Sequence, residues 1–204
     1  TIARRVRAVR RVAPIAFGSA PAQFGDRRRD VGVFGATAEL RPVRRFEICN
    51  GRYLPAGDTE RGAPVCVVGS TVQRDLFGGE NPLGQVLRLG DERYRVIGVL
   101  AVRGVSLGSD LDDTVHVPVS RALKMFNQTS LFRILIEARS HEDIAGARRA
   151  VIALLKERHA GQDRDQGGAE HRRRRRGGPD IDVGHDEVGP LCDHPGAEDR
   201  GEGG

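Results

Sequence analysis

The chain has no tryptophan, two tyrosines, seven phenylalanines and one methionine in 204 residues. A core made from it must rest on Val, Leu, Ile and Ala. Only Lys124 and Lys156 among the 33 basic residues are lysines. That excess of arginine points to a GC-rich coding sequence more than to a selected guanidinium surface. Cys49, Cys66 and Cys192 show no C-x-x-C spacing, which argues against zinc. Cys49 and Cys66 lie in apolar runs and read as small buried hydrophobes; one disulfide stays open. No run reaches the ~18–20 apolar residues that span a bilayer, and no secretory leader pattern is present.

Chemistry is also missing. No G-x-x-x-x-G-K-[ST] phosphate loop occurs. Ser70, Ser106 and Ser120 lie outside any G-x-S-x-G context. His116, His141 and His159 are scattered over unrelated elements, and a catalytic His would need a nucleophile partner. No enzyme activity, cofactor or metal is therefore expected. An uncharacterised hydrolase stays a competing possibility, as does a basic nucleic-acid-binding module.

Charge is uneven. Residues 161–204 hold 7 Arg against 11 Asp plus Glu, a net of −4, and subtracting that from +5 leaves +9 on residues 1–160. A basic body suits nucleic acid or anionic lipid headgroups. The charges do not fall on one helical face, so the plainer reading is a solvated surface. The run Arg172 to Arg176 lacks the interleaved aromatics of a nucleic-acid patch, and no nucleic-acid partner is expected.

What is present is architecture. Mixed spacing reads as a frayed turn leading into a strand over Val12 to Phe17, and alternation predicts strands over Asp30 to Gly35, Val43 to Ile48, Val115 to Val119 and Leu131 to Ala138. His116 alternates with valines and is expected to face solvent. Pro64 to Gly69 is a short apolar run of buried-strand length. Ser70 with Gln73 forms a capping box for a short helix that Gly78-Gly79 stops. Val86 to Leu89 and Tyr94 to Leu100 form a hairpin across Gly90-Asp91. A longer helix begins at Ser140-His141-Glu142-Asp143, buries Ile144, Ala147, Val151, Leu154 and Leu155, and is expected to end at Gly161. Residues 161–204 hold 11 Gly and few aliphatics. They are expected to be disordered, or to be a frameshifted tail.

Two segments stand out as loops. Gly51-Arg52-Tyr53-Leu54-Pro55-Ala56-Gly57-Asp58 is rich in Gly and Pro, and Arg103 to Asp113 is rich in Gly, Ser and Asp. Asp110, Asp112 and Asp113 suggest a calcium loop. The EF-hand pattern then needs Gly and Glu where the chain has Val115 and Arg121, so no metal is assigned. Loops on a rigid scaffold concentrate binding residues. Gly51, Arg52, Asp58, Asp110, Asp112 and Asp113 are the candidate partner-contact residues.

Four blocks carry a resemblance to a known family. They are Gly51-Arg52-Tyr53-Leu54-Pro55 with Asp58; Val65-Cys66-Val67-Val68-Gly69-Ser70-Thr71-Val72; Leu76-Phe77-Gly78-Gly79-Glu80-Asn81-Pro82-Leu83-Gly84; and Tyr94-Arg95-Val96-Ile97-Gly98-Val99-Leu100. The Leu-Phe-Gly-x-x-x-Pro-x-Gly order is the most specific. Over about residues 5–160 the chain resembles the extracytoplasmic core domain of MacB/FtsX-type ATP-binding-cassette (ABC) permeases of bacteria. The resemblance implies an α+β fold, a porter-like α/β subdomain split by an inserted β-rich subdomain. It places porter segments at 1–45 and 119–160, the insertion at 46–118, and a tail at 161–204. It implies membrane helices before and after the domain in a homodimeric parent permease. It also implies a separate ATP-binding cassette subunit or domain, and an adaptor or extracellular regulator as partner. The expected role is mechanotransmission, the coupling of ATP-driven helix motion to export or regulation on the extracytoplasmic side.

Overall fold

The computed structural model describes residues 2–57, 62–106 and 109–165. A short helix α1 (Ile2–Arg5) leads into a 16-residue strand β1 (Val9–Phe24), which turns at Gly25-Asp26 into β2 (Arg27–Ala36). Then follow α2 (Leu40–Arg44), β3 (Ile48–Gly51), β4 (Val65–Val68) and α3 (Ser70–Val72), which widens into a π-helical turn (Gln73–Phe77). The hairpin β5 (Val86–Leu89) and β6 (Glu92–Leu100) precedes the two-residue strands β7 (Val105–Ser106) and β8 (Ser109–Asp110). The chain continues through β9 (Thr114–Pro118), α4 (Val119–Met125), β10 (Arg133–Ala138) and α5 (Asp143–Asp165). Strands and helices are mixed, the α+β class.

The pairings close a ring. β1 pairs antiparallel with β2, β2 parallel with β9, β9 antiparallel with β4, and β4 parallel with β6. β6 pairs antiparallel with β5, and β5 returns to β1 at Ala22 and Gln23. Six strands thus form a small closed barrel, which leaves few free edges. Alternate residues of every strand fill it: Ala20 and Ala22, Val31 and Val33, Val115 and Val117, Cys66 and Val68, Tyr94 and Val96, Leu87 and Leu89. The helical turn adds Val72, Leu76 and Phe77, and α4 adds Val119 and Ala122. The first half of β1 pairs with β10 instead, and α5 and α1 pack there through Val6, Val9, Ala147 and Val151. One strand therefore runs through both parts.

Several local expectations change. The segment Val43 to Ile48 is not a strand. Leu40–Arg44 is helical with Pro42 in its first turn, where a missing N–H costs nothing, and Arg45 ends it in the left-handed region (φ 51°). Ser70 does not cap its helix. Gly69 occupies the cap position, and the free Thr71 N–H donates to the Asp112 carbonyl at 3.0 Å. A neighbouring backbone replaces the side-chain cap. Gly78 does supply the left-handed stop (φ 59°). Ser140 does cap α5, since its Oγ accepts the Asp143 N–H at 3.2 Å. Gly161 does not end α5, which runs to Asp165; one glycine costs a helix only about 1 kcal/mol. Val151 and Ala147 are buried while Ile144 and Leu155 are half-buried. Cys49 is half-buried and Cys66 buried. Cys192 and the tail from residue 166 lie outside the described residues, as does Asp58.

Candidate functional site

The two loop segments hang from one apolar cluster on the outside of the barrel. Phe46, Tyr53, Leu54 and Leu100 are buried in it, and Leu111 and Phe34 pack against it. Its floor is the outer face of β2, β9 and β4. That explains His116. Alternation with Val115 and Val117 does turn His116 out of the barrel, but the 46–54 segment roofs that face, and His116 is 1% exposed. The expectation of a solvent-facing histidine fails because a period of two says which side a residue faces, not what covers that side.

Burial sets the chemistry of this histidine. The Tyr53 hydroxyl meets His116 Nδ1 at 2.8 Å, and Phe34, Phe46 and Tyr53 surround the ring. Loss of water lowers the imidazole pKa from 6.5 to about 3, and the same cause pushes the Tyr53 hydroxyl up. The neutral ring shares one hydrogen bond with Tyr53 through Nδ1, and among the described residues Nε2 has no hydrogen-bond partner. The native state stays unprotonated where the unfolded chain protonates. Stability is therefore constant above the unfolded value near 6.5 and falls as pH drops below it, by up to about 1.4 kcal/mol per pH unit. Urea titrations from pH 7 to pH 5.5 are expected to show this slope, and His116→Phe to remove it. An equal slope in the variant would assign the acid sensitivity elsewhere.

The acidic segment is tied to its own chain. The Asp112 carboxylate accepts the N–H groups of Arg103 and Gly104 at 2.9 and 2.8 Å, closing the base of the β7–β8 hairpin. Arg103 reaches the Arg44 carbonyl and lies over the Phe46 ring at 5.3 Å. Asp113 takes Arg29 in a two-pronged pair, Nε to Oδ1 and Nη2 to Oδ2, both at 2.8 Å. The Arg29 Nη1 donates to Asp75 on the π-helical turn. Asp112 and Asp113 thus spend their oxygens inside the fold. Asp110 lies on β8 opposite Val105.

Arg29 is the residue that sequence reading missed. It sits in the run Arg27-Arg28-Arg29 and looks like its neighbours. A signal was there, because Arg29 continues the alternation of Val31 and Val33, and Asp113 that of Val115 and Val117. The clamp lies at the mouth of the barrel, where an inward-facing residue reaches the rim.

Gly51 and Arg52 serve a close backbone crossing. Gly51 adopts φ +78°, and a Cβ there would come within 2.4 Å of the Ile97 carbonyl oxygen. Across from it, a Cβ on Gly98 would stand 2.2 Å from the Arg52 carbonyl oxygen. The Arg52 N–H donates to the Ile97 carbonyl at 2.9 Å. The Arg52 side chain is exposed, as are Pro55 to Gly57, while Tyr53 and Leu54 anchor the segment inward. The structure seats Tyr53, Leu54 and Leu111 in one apolar cluster and leaves the Arg52 side chain exposed. Among the described residues no three His, Cys, Asp or Glu side chains gather as a metal site. No described helix is long and apolar enough to cross a membrane.

Comparison with known proteins decides the family. The profile of the MacB-like periplasmic core domain matches residues 1–154. The chain belongs to that family. It is 34% identical over 143 residues to the macrolide export ATP-binding/permease protein MacB of Chlorobium luteolum, covering 70% of this chain and 22% of that protein. It is 31% identical over 154 residues to the pyoverdine export ATP-binding/permease protein PvdT of Pseudomonas entomophila, covering 74% and 24%. The chain thus spans about a quarter or less of such relatives. The fold matches the extracellular domain of the transporter YknZ from Gram-positive bacteria, with TM-score 0.66, 21% identity, and 77% and 80% of the two chains covered. It also matches the periplasmic region of MacB from Actinobacillus actinomycetemcomitans, with TM-score 0.65, 21% identity, and 76% and 70% covered.

Membership makes this chain an extracytoplasmic part of a MacB-like ABC permease. In a MacB-like core domain the family blocks acquire physical meanings. Gly51-Arg52 and Gly98 are two sides of one backbone crossing. Leu76-Phe77-Gly78 ends the turn whose side chains enter the barrel. Val65 to Val68 is the strand between β9 and β6.

Proposed function

We propose that this domain transmits force rather than performing bond chemistry. In the parent permease it would couple ATP-driven motion of membrane helices to export or regulation outside the membrane. The observation that carries this reading is the closed barrel with its rim clamped by Arg29, Asp113 and Asp75. A relay must not lose displacement in local deformation, and a close-packed, edge-poor barrel has low compressibility.

In this reading, segments 1–45 and 119–160 form the porter-like part and 46–118 the inserted part, joined through β1 and the β2–β9 pairing. ATP hydrolysis belongs to a cassette subunit or domain of the parent protein, which is itself a homodimer. An adaptor or extracellular regulator meets the exposed loops. Of the candidate contact residues, Gly51, Asp112 and Asp113 shape the surface from beneath. Arg52 is the side chain placed to touch a partner, with Asp58 and Asp110 on the same two loops.

The test is charge reversal at Arg52 in the full-length permease. Arg52→Glu is expected to reduce export or regulation several-fold while membrane assembly and ATP hydrolysis stay within twofold of the parent (an estimate of about 1–2 kcal/mol at a contact position). Unchanged export would remove this loop from the mechanism.

A further inference from the structure

The seam between α1 and α5 combines an apolar groove with a dense basic rim. Ile2, Val6 and Leu155 belong to one cluster with Val151, so the start of the described chain and the later turns of α5 meet at the same end of the molecule. Beside them an open groove is lined by Arg5, Val6, Ala150, Ala153, Leu154 and Glu157. Arg4, Arg5 and Arg7 are exposed. Arg139 is drawn alongside, its Nε donating to the Arg7 carbonyl at 2.7 Å. Arg149 and Lys156 lie one helical turn to either side of Ala153 and are exposed. Glu157 is the single acid in the groove lining.

We propose that this end of the domain docks on an anionic phospholipid surface. Arg4, Arg5 and Arg7 meet headgroup phosphates, and Val6, Ala150, Ala153 and Leu154 give the groove an apolar floor for the glycerol and upper acyl region. Guanidinium forks suit phosphate oxygens, and basic clusters beside an apolar strip are the pattern of interfacial binding. The orientation rests on the proposed reading of the chain as the extracytoplasmic part of a permease, in which flanking membrane helices would hold the α1–α5 end against the bilayer. The contact would fix the tilt of the domain over the membrane.

The barrel supplies an internal control. β1 has 16 residues, about 50 Å at roughly 3.3 Å per residue. At its far end Gln23 pairs with Arg88, and Arg88 with Arg93. Arg93 and Arg95 are exposed there, so reversing them changes net charge equally without touching the seam.

The experiment is co-sedimentation of the full chain with vesicles of phosphatidylcholine alone or with about 30% phosphatidylglycerol, at roughly 0.1 M salt. All arms carry serine at Arg172 through Arg176, so that this run cannot supply the binding. The unaltered seam is expected to bind the anionic vesicles and not the neutral ones. A basic residue near such a surface contributes about fivefold. Arg4→Glu with Arg5→Glu should therefore lower partitioning at least about tenfold, and Arg93→Glu with Arg95→Glu less than about twofold. Should the first pair melt early, Arg4→Gln with Arg5→Gln takes its place, with about half the effect on a logarithmic scale. No binding to anionic vesicles, equal binding to neutral ones, or equal loss in both pairs overturns the proposal. None of those results would touch the force-relay reading, which is tested by export and hydrolysis in the parent permease.

Discussion

Gly98→Ala is expected to destabilise the domain by about 3 kcal/mol, the upper end of overpacking penalties. The added Cβ would stand 2.2 Å from the Arg52 carbonyl oxygen and 3.0 Å from its carbonyl carbon. Both are backbone atoms, so no rotamer change relieves the contact. Among the described residues β3 pairs only with β6, through Ile48, Asn50 and Gly51. Relief must therefore come from moving β3 and the segment that roofs His116. In a chain of this size the melting temperature should fall by about 6–12 °C. Hydrogen exchange should rise first in β3 and at the Arg52 N–H. A loss under about 0.5 kcal/mol would mean that the two strands do not cross this closely.

Arg29→Ala should cost about as much for an electrostatic reason. It removes the two 2.8 Å bonds to Asp113 and the bond to Asp75, leaving two carboxylates near each other at the barrel rim without their shared cation. The side chains are 23–35% exposed, so water screens part of the penalty. About 2–3 kcal/mol is expected, against 3–5 for a fully buried pair. A double-mutant cycle with Asp113→Ala should return a coupling above about 1 kcal/mol. Additive effects would show that the two residues are merely neighbours. Arg28→Ala, one position along and exposed, is the matched control and should change stability by less than about 0.5 kcal/mol.

Part of the barrel was legible in sequence because three of its strands, β2, β9 and β5, alternate. Val31 and Val33, Val115 and Val117, and Leu87 and Leu89 all mark inward faces by local pattern alone. The hairpin at Gly90-Asp91, the stop at Gly78 and the cap at Ser140 are likewise set by residues within a few positions. What stayed hidden depends on distant chain. The burial of His116 comes from Phe46 and Tyr53, some 60–70 residues earlier. The cap of α3 is the backbone of Asp112. The extent of β1 reflects four separate partners in β10, β2, β5 and the packing of α1, which no window of β1 contains. The candidate contact loops were found by composition, yet composition does not separate an exposed Arg52 from Asp112 and Asp113, whose oxygens are already engaged.

In the proposed relay, stiffness would link this structure to its role, and Arg29 is where stiffness can be lowered without altering an exposed loop. The decisive measurement is export per ATP hydrolysed in the assembled parent permease carrying Arg29→Ala. A force relay should keep ATP hydrolysis within about twofold and lose export about tenfold, a change of roughly 1.4 kcal/mol in coupling. Export per ATP equal to that of the parent, in a domain shown by melting to be loosened, would contradict transmission through the barrel.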